Sequence, residues 1–68
     1  MTTYNVIAKD NANDTRFDQY LIVPAKGGRF DLVNPKLSWN AINCAPTSKK
    51  ALVEMLNSSY AFVEITKA

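Results

Sequence analysis

WNAINCAPTSKKALVEMLNSSYAFVEI, residues 39–65, is the stretch whose reading decides the fold. Its middle is a helix. Pro46 is followed by Thr47 and Ser48, and either hydroxyl suits a helix N-cap. Ala51, Leu52, Met55 and Leu56 then fall at helical spacing and make one apolar stripe. Lys50 and Glu54 lie on the opposite side, four apart, in the weaker order for an ion pair. Lys49 and Lys50 occupy the first turn, against the helix dipole. Asn57, Ser58 and Ser59 end the run, so the spacing predicts a helix over about 47–57.

A strand follows, YAFVEIT (60–66). Ala61, Val63 and Ile65 share one face, and Tyr60, Phe62 and Glu64 share the other. The helix stripe needs an apolar sheet face beneath it, and the Ala61, Val63, Ile65 face supplies one. Upstream, LSWNAINC (37–44) reads two ways. Pro35 at a first helical position, capped by Asn34, would start a helix. Trp, Ile, Ser, Asn and Cys are middling helix formers, and the alternation of Leu37, Trp39 and Ala41 with Ser38, Asn40 and Ile42 fits a strand better. On the strand reading, its crossover through the helix to the last strand should be right-handed.

The N-terminal half reads as three strands. TYNVIA (3–8) is the first, and the Asn- and Asp-rich KDNANDTR (9–16) is a loop. FDQYLIV (17–23) is stopped by Pro24. The glycines of AKGG (25–28) permit a tight connection into RFDLV (29–33), which completes a hairpin. The expected fold is one α+β domain spanning 1–68: a mostly antiparallel sheet of four to five strands with the helix on one face.

Composition excludes several function classes. The net charge of +2 is too small to be a nucleic-acid footprint by itself. No apolar run approaches the length of a membrane span, and MTTYNVIAKD lacks the pattern of a secretory signal. Cys44 is the single cysteine, so it forms no internal disulfide; it fits a reducing compartment, the cytoplasm, as a small buried apolar residue. The absence of histidine removes the commonest general base, the Ser-His and Cys-His nucleophiles, and zinc quartets that use His. Lys26-Gly27-Gly28-Arg29 lacks the spacing of a phosphate loop. DNANDTRFD (10–18) lacks the glycine and glutamate of a calcium loop. No catalytic, metal or cofactor residues are assigned, and a non-enzymatic protein is expected.

The remaining signal is aromatic. If Val63 and Ile65 face the helix, Tyr60 and Phe62 face away, and Trp39 joins them if its strand lies alongside. Arg29, Phe30, Lys26 and Lys36 flank the same region in sequence and would give the patch a basic rim. Such a surface suits a protein partner through Trp and Arg anchors. It suits single-stranded nucleic acid through stacking and phosphate contacts. It also suits a second copy of the chain, in a small structural or oligomeric subunit.

The layout of Trp39, Ala45-Pro46-Thr47, KALVEML (50–56) and FVEIT (62–66) resembles small early proteins of lytic phages that disable host machinery. It is most similar to the Dmd antitoxins of T-even phages, stoichiometric blockers of a host RNase toxin. It is also similar to the small inhibitors of host RNA polymerase from podophages. The resemblance covers residues 39–66. It implies a protein that binds and inhibits a host protein in the host cytoplasm, with Trp39, Arg29, Phe30, Lys36, Tyr60 and Phe62 as the contact residues.

Overall fold

A computed structural model describes residues 2–68. Four strands form one antiparallel sheet: β1 (Tyr4–Lys9), β2 (Asp18–Pro24), β3 (Phe30–Val33) and β4 (Phe62–Lys67), in the order β3-β2-β1-β4. One helix, α1 (Lys49–Ser59), lies between β3 and β4 in the chain and covers one face. This is the expected α+β architecture.

Strand parity decides what is buried. The register sets Val6 beside Tyr20 and Ile65, Tyr4 beside Ile22, and Ile22 beside Leu32. These side chains share the helix face, because successive residues of a strand point to opposite sides. Val6, Ile22, Leu32, Leu52 and Leu56 are buried at its centre, with Tyr4, Tyr20, Phe30, Val53, Val63 and Ile65 packed around them. Ser48 caps α1, accepting from the Ala51 N–H at 3.1 Å. Thr47 stands outside the helix, because its backbone exchanges two hydrogen bonds with Phe30 at the edge of β3. The helix therefore starts and ends two residues later than the spacing predicts. Met55 sits at the margin of the stripe and is 39% exposed.

The β2–β3 connection is a 3-10 turn, Lys26–Gly28, with Gly27 and Gly28 at φ of 73° and 72°. Both lie in the left-handed region that a side chain resists. Pro24 is the last residue of β2 rather than the residue beyond it; the ladder ends there, opposite Phe30.

The strand expected over 37–44 is not formed. Proline and asparagine chemistry takes this segment into turns instead. The Asn34 carbonyl accepts from the N–H groups of Leu37 and Ser38, its Oδ1 accepts from Lys36 N–H, and Ser38 Oγ accepts from Asn40 N–H. Such local bonds compete with a ladder. The sheet accordingly has four strands. β4 runs antiparallel to β1, so the handedness rule for parallel crossovers does not apply to it. Cys44, expected to be buried, is exposed on this loop. Ala61 is exposed ahead of β4 instead of sharing the face of Val63 and Ile65.

The two sheet edges differ. On β3, Phe30 pairs with Thr47, Leu32 C=O accepts from Ile42 N–H at 2.7 Å, and Leu32 N–H donates to Asn43 Oδ1 at 2.9 Å. The loop thus closes that edge. On β4, the Ala68 N–H donates to Thr3 C=O, so by alternation the backbone groups of Val63, Ile65 and Lys67 point away from β1.

Candidate partner-binding site

The loop over 34–46 is irregular but held at both ends. The Asn34 turn fixes its start. Asn43 fixes its end: besides accepting from Leu32, its Nδ2 donates to Asp31 Oδ1 at 3.1 Å and to Ala45 C=O at 2.7 Å. Between these anchors the chain presents apolar side chains to solvent. Leu37 is 83% exposed, Trp39 69% and Ile42 51%. Three large apolar groups within six residues of one pinned loop are thus open to solvent, a concentration that single scattered surface residues do not give.

Beside it, a cleft of about 170 Å³ opens between the loop and α1. Ile42 and Met55 form its sides, and Leu32, Leu56, Tyr20 and Tyr60 line it further. Its lining is mainly apolar and it opens at the surface, which suits insertion of a single apolar side chain from a partner.

The six residues expected to form one contact surface are placed apart. Trp39 is on the loop. Phe30 turns to the helix face, packed edge-on against Tyr4 at 6.2 Å. Arg29 precedes it, at the end of the sheet opposite Lys36. Tyr60 is not part of a strand but caps α1, donating its N–H to Leu56 C=O. Its hydroxyl donates to Asp18 Oδ2 at 2.5 Å and meets the Tyr20 hydroxyl at 2.6 Å. Burial, then the hydrogen bonds to Asp18 and Tyr20, holds that phenol protonated far above the ordinary tyrosine range.

Phe62 alone of the expected aromatic set lies on the open sheet face, with Lys9 Nζ 5.7 Å from its ring. Lys36 Nζ stands 5.8 Å from the Phe17 ring, beyond the start of β2. Lys9, Phe17 and Lys36 line a groove of about 770 Å³ at one end of the sheet, and each lysine stands against a ring, Lys9 against Phe62 and Lys36 against Phe17. The cations bordering that groove, Lys9, Arg16 and Lys36, are matched by Asp10, Asp14 and Asp18. This end carries no net positive field.

Leu37, Ile42, Met55, Phe17 and Lys9 are absent from the contact residues expected from the sequence. The available signal was the pair Asn40 and Asn43 inside an apparent strand, since amides favour turns. No group of three or more His, Cys, Asp or Glu side chains that could hold a metal occurs among the described residues. Among the described residues, no helix is long and apolar enough to cross a membrane. Compared with protein-family models, with curated proteins and with solved structures, the chain matches none.

Proposed function

We propose that this chain is a small non-enzymatic protein that binds another protein and thereby inhibits or modulates it. The observation that carries the reading is the display of Leu37, Trp39 and Ile42 on a loop that side-chain hydrogen bonds pin to the edge of β3. Pinning matters because a contact loop that is already ordered loses less entropy on binding. Trp39 is the anchor, and the cleft between Ile42 and Met55 receives an apolar group of the partner. The resemblance of residues 50–56 and 62–66 to small phage inhibitors suggests a host protein as the target, a toxin nuclease or an RNA polymerase among them. Single-stranded nucleic acid on the open face is the weaker reading. Phe62 and Phe17 would offer rings, but the balanced charges around them give phosphates no net attraction.

The test is affinity capture from host lysate with the native chain and with Trp39→Ala and Ile42→Asp. A target retained by the native chain and lost with both variants supports the reading. Both variants should keep their melting behaviour within about 0.5 kcal/mol, since these side chains are exposed. Capture that ignores both substitutions, or no stable partner at all, sinks it.

A further inference from the structure

The opposite end of the molecule has a different character. There the 25–29 turn, the start of β1, the end of β4 and the N-terminus of α1 come together, because Pro24 pairs with Phe30, Tyr4 with both Ile22 and Lys67, and Phe30 with Thr47. Five of the eight basic side chains belong to this end: Lys26, Arg29, Lys49, Lys50 and Lys67. Only Asp31 of the six acidic ones does, and its carboxylate is tied to Asn43 Nδ2. The net charge of +2 conceals this polarity.

Tyr4 lies at this end, and one cation meets its ring directly. Lys49 Nζ stands 4.2 Å from its ring centroid, Lys67 is its partner across the ladder, and Arg29 adjoins Phe30, whose ring packs against it. Lys49 and Lys50 also fill the first turn of α1, which contains no acidic residue. The helix dipole repels cations there, so the fold gains only the Lys49 contact with Tyr4 from that choice and nothing from Lys50. A polyanion reverses the sign, since it meets two lysines and the positive end of the dipole together.

We propose that this end of the sheet binds the phosphodiester backbone of nucleic acid. The contact is made to phosphates and not to bases. Tyr4 and Phe30 pack against the core and each other, with Lys49 over Tyr4, so no free ring is left for stacking. Recognition is therefore independent of sequence. The site is separate from the Trp39 loop and does not depend on that reading.

The test is fluorescence anisotropy of a labelled 20-base-pair duplex at about 50 to 200 mM salt, the range in which phosphate contacts are resolved. Binding should weaken with salt, with a log–log slope of about −3 to −4.5 for three to five phosphates engaged. Arg29→Glu and Lys50→Glu should each lower affinity by about fivefold or more at low salt. Lys50→Glu should at the same time raise the melting temperature, by placing an acid in the first turn. A misfolded variant does not do both. Trp39→Ala should bind the duplex as the native chain does. No binding at the lowest salt, a slope near zero, or unchanged affinity in the charge reversals overturns the proposal. Competition by polyglutamate as strong as that by unlabelled duplex overturns it too, in favour of an acidic protein partner.

Discussion

Tyr60 shows how much one side chain can be asked to do in a small domain. Its N–H closes the helix, and its hydroxyl joins Asp18 and Tyr20 across the top of the core. The sign of the pH effect follows from the proton. The folded state holds the phenol proton more tightly than the unfolded chain, whose value is near 10.0. The stabilisation is thus fully present below pH 10.0 and is lost as pH rises above it toward the raised folded value. Tyr60→Phe should cost about 1 kcal/mol at neutral pH, discounted for partial exposure. It should also flatten the alkaline fall in stability. Nothing in the sequence joins Tyr60 to Asp18, because the contact spans 42 positions. Sequence reading places Tyr60 on a strand face, and the structure places it at a helix cap.

At the level of elements, legibility followed range. The helix was readable because its cap and its stripe are local: Ser48 bonds three residues on, and Leu52 and Leu56 are one turn apart. The hairpin was readable from Pro24 and the Gly27–Gly28 pair. The 37–44 segment was not. Its apolar alternation imitates a strand, while the local turn bonds of Asn34 and Ser38 override it and a bond between Asn43 and Leu32, eleven residues apart, holds the resulting loop in place. The position of the Trp39 site is a consequence of the same bonds. Asn43→Ala should leave the Leu32 N–H without its partner and cost about 1–3 kcal/mol. Hydrogen exchange should show the Leu32 amide opening faster, and Trp39 fluorescence should report a looser loop. An unchanged Leu32 exchange rate would remove the Asn43 clamp from the account of the site.

For the whole molecule, the core is small enough that single side chains decide whether it folds. Leu56 is 2% exposed and sits among Val6, Ile22, Leu32 and Leu52. A chain of 68 residues has a net stability of about 3–10 kcal/mol. Leu56→Ala should remove about 2–5 kcal/mol of it, the usual cost of a buried Leu→Ala change. Urea denaturation should then show a midpoint shifted to very low concentration with the same slope. Charge has its own lesson at this scale. Net charge is a sum, and a sum has no position; only the topology reveals that the 25–29 turn and the start of α1 place their cations together.

The unequal edges of the sheet can be put in the language of polymer chemistry. A strand edge with free backbone groups is a reactive end, and a molecule with two such ends can grow into a fibre. Among the described residues, this molecule has one. Val63, Ile65 and Lys67 offer theirs, while those of β3 are consumed by Ile42, Asn43 and Thr47. Its valence is one, so two copies joined along β4 have no end left to extend. Light scattering at high concentration should find masses no greater than twice 7.6 kDa. In Asn43→Ala, with a second end partly released, larger species should appear. The loop that carries Trp39 is also a chain stopper, and a partner that pulled it from β3 would turn a terminating unit into a propagating one.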